Sequence, residues 1–116
     1  MLGFANISYG MRPAATESTF HAIADPTRRQ LLTILRSGER SASELAAPFK
    51  QSRSAVSQHL ATLAQAGLVV RRRDGRRQMY QLRPEPLREV IDWTTEFDAF
   101  WDKRFERLGQ YLENHD

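Results

Sequence analysis

The chain has 116 residues, 41% of them hydrophobic and 27% charged, a net charge of +3 and no cysteine. That is enough for one domain with an appended association element, in the ordinary composition range of globular proteins. The missing cysteine excludes disulfides, thiolate metal sites and thiol redox sensing. No apolar run reaches the roughly 18 residues of a membrane span, and the N-terminus has no signal-peptide pattern, so the cytoplasm is the default location.

The charge is polarised along the chain: residues 1–49 carry +1, residues 50–83 carry +7 and residues 84–116 carry −5. A basic middle third is the footprint of a phosphate-binding surface, and the acidic last third should face away from it.

Residues 1–15 are weakly patterned, with Gly3, Gly10 and Pro13, and read as a flexible N-terminal arm. Thr16 to Ala24 is a short helix candidate with Phe20, Ile23 and Ala24 on one side. Asp25-Pro26 then supplies an N-cap and a first-position proline for a helix from Pro26 to Ser37. That helix buries Leu31, Leu32 and Leu35 and ends at Gly38. Arg28 and Arg29 in its first turns are read first as internal partners of acidic groups, with phosphate contact as the alternative. Ser41 and Glu44 fit a capping box that opens a short helix through Leu45 and Ala47, limited by Pro48.

The stretch from Gln51 to Gly67 is the most informative. Ser52 is a good N-cap, Gly67 a stop, and Val56, Leu60 and Leu63 make one apolar stripe. At 100° per residue, Ser54, Ser57, Gln58 and Ala61 fall roughly opposite that stripe, flanked by Arg53 and His59. An ordinary solvated face would carry Glu and Lys. A small, polar, uncharged face suits close approach to the base edges of a DNA groove. Two short helices joined by a tight turn, the second with such a face, form a helix-turn-helix.

Leu68–Val70 and Gln78–Leu82 read as two strands around the hairpin signal Asp74-Gly75. Arg71, Arg72, Arg73, Arg76 and Arg77 surround that turn. A solvated, aggregation-resistant edge would also carry arginines. Directly after a helix-turn-helix, a basic hairpin tip reads better as a wing that grips the DNA backbone. From Pro84 on, one long helix is expected between about Glu85 and Tyr111. Its apolar arc, which includes Val90, Phe97, Trp101, Phe105 and Leu108, spans roughly 180° with Trp93, Phe100 and Tyr111, wider than packing on one small domain needs. The surplus is aromatic, the composition of interface cores, and predicts a homodimer through this helix and the Phe20–Ala24 segment.

Three stretches resemble the ArsR/SmtB family of bacterial winged helix-turn-helix regulators. They are A-D-P-T-R-R-Q-L-L at residues 24–32, S-Q-H-L-A-T-L-A-Q-A-G-L-V at residues 57–69, and the hairpin strand from Arg77 to Leu82. The resemblance covers about Phe20 to Leu112. It implies a mainly α winged helix-turn-helix fold, with about five helices and a two-stranded wing, dimeric, repressing transcription at a palindromic operator. Carried over by position, Ser54, Ser57, Gln58 and His59 would meet base edges or phosphates, Ser52 and Arg53 the backbone, and Arg73, Arg76 and Arg77 would belong to the wing. His59 keeps a second reading, orienting the helix rather than touching DNA.

Many members sense metal through cysteines in the first helix of the helix-turn-helix, where this chain has Ser41 to Ala46 and no thiolate. The C-terminal helix offers Asp92, Glu96, Asp98, Asp102 and Glu106, with His115 only at its end, a poor donor set for zinc. The expectation is therefore a regulator that senses no metal, with no cofactor, no catalytic residues and no membrane partner. A small-molecule effector is left open. The predicted division is a 1–15 arm, a 16–83 DNA-binding domain and an 84–116 dimerisation helix. The competing reading is a winged-helix protein-interaction module without a DNA role, against which the Arg-rich wing speaks. An enzyme is disfavoured by three scattered histidines and the absence of a Gly-rich phosphate loop.

Overall fold

A computed structural model describes the backbone of residues 12–114 and the side-chain surroundings of residues 18–113. The expected arm therefore lies mostly outside the described residues. Its last four residues, Arg12 to Ala15, belong to the first helix, which begins at Arg12 rather than Thr16.

Among the described residues six α-helices and three strands follow one another: α1 (Arg12–Ile23), α2 (Pro26–Leu35), β1 (Arg40–Ser41), α3 (Ala42–Ala46), α4 (Arg53–Gln65), β2 (Val69–Asp74), β3 (Arg77–Leu82), α5 (Arg88–Thr95) and α6 (Asp98–Asn114). A 3₁₀ turn, Glu85–Leu87, joins β3 to α5. The expectation of about five helices and a two-stranded wing is corrected by one short strand and by a break in the last helix.

Local signals in the sequence account for most boundaries. Asp25 caps α2 by accepting the Arg28 backbone N–H at 3.1 Å, with Pro26 at the first position. Ser41 and Glu44 form a complete capping box, the Glu44 N–H on Ser41 Oγ at 3.2 Å and the Ser41 N–H on Glu44 Oε1 at 2.8 Å. Ser52 caps α4 through the Ala55 N–H at 3.1 Å. The far end of α4 is a Schellman closure. The Leu68 N–H returns to Leu63 O and the Gly67 N–H to Ala64 O, both at 3.0 Å, with Gly67 at φ +78°. A side chain at Gly67 would be strained in that conformation.

The core is built from Leu31, Leu32 and Leu35 of α2, Leu45 of α3, Val56, Leu60 and Leu63 of α4, and Leu68, Val69 and Tyr80 from the sheet. From α1 it takes Ala22, with Thr19 also buried, so the residues that α1 turns to the core are not Phe20, Ile23 and Ala24, the apolar side read from the sequence. Phe20 and Ile23 are half-buried and Ala24 is exposed. The small residues face inward because α1 lies close to the leucines of α2, and the larger Phe20 points aside to meet Trp93.

The sheet order is β1-β3-β2, all antiparallel, with Arg40 opposite Tyr80 and Ser41 opposite Met79. The two-residue β1 escaped the sequence reading because Ser41 also serves as the cap of α3. In the hairpin Asp74 pairs with Arg77, so the loop is Gly75-Arg76, one residue later than expected. Gly75 takes φ +63°, the left-handed conformation that a two-residue hairpin loop needs.

The expected single helix over 85–111 is interrupted between Thr95 and Asp98. Thr94 and Thr95 both turn their hydroxyls onto the carbonyl of Ile91, at 2.9 and 2.7 Å. Glu96 and Phe97 then bond three residues back, to Trp93 and Thr94. Two adjacent threonines competing for one helix carbonyl tighten and break the turn. Beyond the break α6 projects from the body, and every residue from Ile91 to Glu113 is exposed. The radius of gyration is 19.0 Å, against about 13 Å for a compact chain of this length.

Leu60 is 1% exposed at the centre of the core. Leu60→Ala should cost about 2–5 kcal/mol of stability, read as a lower urea midpoint at unchanged slope.

Candidate nucleic-acid interface

Helix α4 is seated by its apolar stripe and presents the other side outward. Ser52, Arg53, Ser54, Ser57 and Gln58 are all exposed, while His59 is half-buried. The outer surface is thus a small polar one, as its residue pattern requires. Arg53 reaches back to the hydroxyl of Ser43 on α3. Gln51 in the turn before α4 donates to Thr27 Oγ1 at 2.9 Å, tying the start of α4 to α2.

His59 turns the Nδ1 edge of its ring inward. Its Nδ1 lies 3.1 Å from Arg28 Nη1 and 3.9 Å from Asp25 Oδ2. Arg28 and Arg29 serve the end of α1 instead of acidic side chains. Arg28 donates to Ala22 O at 2.6 Å and His21 O at 3.0 Å, and Arg29 to Ile23 O at 2.8 Å. The last carbonyls of a helix have no internal partner and carry partial negative charge, which suits guanidinium donors. The internal role expected for these arginines holds, but with carbonyl rather than carboxylate partners.

The wing divides its arginines between its two faces. Strand alternation puts Arg71 and Arg73 on one face and Arg72 on the other. Arg72 is engaged: it grips Glu39 in a fork, Nε to Oε2 at 2.8 Å and Nη2 to Oε1 at 2.7 Å. Arg77 lies 3.8 Å from Glu44, the capping-box carboxylate of α3. The hydrogen bonds and charge of Arg72 hold the Glu39 carboxyl below its ordinary value. The Ser41 backbone N–H, then the Ser41 hydroxyl, with smaller help from Arg77 and Arg40, does the same for Glu44. Two acidic residues before and within α3 therefore anchor the wing to the helix-turn-helix. Nothing in the linear sequence pairs Glu39 with Arg72, 33 residues away. Arg73 and Arg76 are exposed at the tip.

The residues expected at a dimer contact split into two groups. Ile23 packs partly against its own core and Val90 is half-buried. Phe20 meets Trp93 edge-on at 5.7 Å, and Trp93 meets Phe97 at 5.3 Å, an aromatic ladder from α1 to the α5–α6 junction. Phe97, Trp101, Phe105 and Leu108 lie on one exposed stripe, with Phe105 65% exposed. Among the described residues no three or more His, Asp or Glu side chains cluster as a metal site, and no helix is long and apolar enough to cross a membrane.

The profile of the bacterial regulatory protein, arsR family, matches residues 25–70, from the cap of α2 into the wing. The transcriptional repressor SdpR of Bacillus subtilis (strain 168) is 36% identical over 80 residues, 69% of this chain and 89% of that protein. This chain belongs to the ArsR family. The HTH-type transcriptional regulator Rv2034 of Mycobacterium tuberculosis (strain ATCC 25618 / H37Rv) is 37% identical over 98 residues, covering 84% of this chain and 89% of that one. A crystal structure of an ArsR family transcriptional regulator superposes with a TM-score of 0.70 at 31% identity, over 84% of this chain and 97% of the other. Like its family, this ArsR-type chain is a DNA-binding transcriptional regulator and not an enzyme.

Both anchoring carboxyls titrate lower in the folded protein than unfolded, so their contribution is present above the ordinary value of 4.5 and lost as pH falls through the folded value. Urea titrations from pH 7 downward should show stability falling in the acid range, and Glu39→Gln should make that fall shallower.

Proposed function

We propose that this ArsR-family chain is a homodimeric repressor that binds a palindromic operator through α4 and the arginine-rich wing, and that it senses no metal. The observation that carries the reading is the outer surface of α4. Ser54, Ser57 and Gln58 are exposed and uncharged there, while the body of the helix is locked into the core. Such a surface can enter a major groove without desolvating a charge, and a Gln amide matches the paired donor and acceptor of an adenine edge. Ser52 and Arg53 at the start of α4 and Arg73, Arg76 and Arg77 of the wing supply backbone contacts, which position the protein without reading sequence.

Repression is supported by the name of the similar Bacillus subtilis protein, a transcriptional repressor. Dimerisation is supported by α6. Phe97, Trp101, Phe105 and Leu108 form an apolar stripe that the described residues leave uncovered, too large and aromatic to be ordinary solvated surface. Residues 84–116 then serve as the association segment and 16–83 as the DNA-binding body, with Phe20 and Val90 at the edge of the contact. The absence of cysteine, and Ala42 and Ser43 in α3, support control by a signal other than a thiolate-bound metal. A two-fold dimer would read two half-sites about one helical turn, or a multiple, apart.

Fragments of host genomic DNA retained by the protein, then sequenced, should share a two-fold repeat. On those fragments Gln58→Ala should lose discrimination at particular base pairs, by about 1–3 kcal/mol, read as a broadened sequence profile. The double change Arg76→Ala and Arg77→Ala should weaken binding to every sequence and reduce the salt dependence by about 0.9 in slope per lost phosphate contact. An unchanged profile for Gln58→Ala would refute the role given to α4.

Trp101→Asp buries a charge in the proposed contact. By sedimentation it should behave as a monomer at concentrations where the unmodified protein is a dimer, with helix content retained.

A further inference from the structure

We infer that Arg28 is a positioning residue for DNA binding. It holds His59 as the neutral tautomer with its proton on Nε2, and so presents that N–H to a phosphate of the bound duplex. This rests on the DNA contact proposed for α4, and goes beyond it by assigning the chemical state of one side chain and the residue that sets it.

The argument begins with the guanidinium. All three of its nitrogens are engaged: Nε with Ala22 O at 2.6 Å, Nη2 with His21 O at 3.0 Å and Nη1 with His59 Nδ1 at 3.1 Å. An arginine has five N–H donors, no acceptor, and does not lose its proton in proteins. Nδ1 must therefore accept, and an acceptor Nδ1 carries no proton. The ring is neutral, and its one proton sits on Nε2. An imidazolium would point an Nδ1–H at a guanidinium N–H across 3.1 Å and lose the bond.

Asp25 sharpens the case. Its Oδ2 is 3.9 Å from the same Nδ1, beyond hydrogen-bond range, and takes the Arg28 backbone N–H at 3.1 Å. Without the guanidinium that carboxylate would draw a proton onto Nδ1. Arg28 is thus the group that decides between the two states. Its other two bonds end on the final turn of α1, so α4 is joined through a single side chain to the helix that leads into the Phe20–Trp93 contact.

The ring is only partly covered. The His59 side chain is 21% exposed. Seven residues separate it from Ser52, which returns it to within about 20° of that cap residue on the helix. On the helix His59 falls about 40° from Leu63 and about 100° from Gln58, at the shoulder between the buried stripe and the outer face. A donor on that shoulder is placed for the sugar-phosphate wall of a groove rather than for its base edges, and a neutral N–H on a phosphate oxygen is a charge-assisted bond.

The test uses the full chain. Long-range ¹H–¹⁵N spectra of the histidine rings in the free protein should show His59 with a bare Nδ1 and a protonated Nε2. In Arg28→Met, Nδ1 should gain a proton opposite Asp25. A protonated Nδ1 in the unmodified protein, or an Arg28→Met spectrum like the unmodified one, overturns the assignment. His59→Asn keeps an acceptor for Arg28 and removes the outer donor. On genomic fragments retained by the unmodified protein it should bind about tenfold more weakly, by the same factor on each fragment. Because a neutral group releases no counterion, the salt slope should not change. Unchanged affinity, fragment-dependent loss, or a slope shallower by about 0.9 per contact would each refute the neutral phosphate donor. Failure of the unmodified protein to retain any DNA would sink the proposed function and the phosphate contact together, while the free-protein spectra would still decide the role of Arg28.

Discussion

The seating of α4 is the constraint on which the other features depend. Val56, Leu60 and Leu63 are each no more than 1% exposed and meet leucines from α2 and α3 and the Leu68–Val69 start of the sheet. A helix held by so narrow a stripe could still roll about its axis, because apolar contact has little directional preference. Directional bonds at both ends remove that freedom. Ser52 closes the start, Gln51 ties it to Thr27, and the Gly67 closure delivers Leu68 straight into the core. Midway, Arg28 and His59 add a polar stop. The outer face is fixed in direction only because all of these act together.

The same economy governs the wing. A two-stranded ribbon is marginal alone, and an exposed ribbon with five arginines near its turn would repel itself. Its base is seated in the core through Val69 and Tyr80, and one short strand and two acidic residues hold the rest. β1 pairs with β3, Glu39 takes Arg72, and Glu44 sits beside Arg77 while also completing the cap of α3. Ser41 therefore belongs at once to a strand and to a helix cap. That overlap makes the spacing between α3 and the wing rigid. Wing arginines are also not equivalent: Arg72 is committed to the fold, while Arg73 and Arg76 stand free at the tip.

The C-terminal segment follows different rules. From Ile91 to Glu113 no residue is buried, though an apolar stripe runs from Phe97 to Leu112. Placing it on a helix separated from the body by the Thr94–Thr95 break keeps the stripe apart from the domain's own core. The break also lets Trp93 turn back to Phe20 while Trp101 and Phe105 face outward.

Local chemistry alone determined much of this protein. The caps at Asp25, Ser41 and Ser52, the stop at Gly67, the stripe of α4 and the Arg-rich hairpin were all legible in the sequence, because each depends on residues within a few positions of one another. The family signature was legible for the same reason. What lay beyond the sequence are the pairings between distant residues: Arg72 with Glu39, β1 with β3, and Arg28 with His59, 31 positions apart. No periodicity encodes these, since each needs two elements already packed before the partners can meet. The break after Thr95 lies between the two cases. Its threonines were visible, but a strong apolar period concealed it, and only the competition of two hydroxyls for one carbonyl decided it. Apolar periodicity set the face of α4, and tertiary structure decided which residues of α1 turn inward and which charges remain available on the surface.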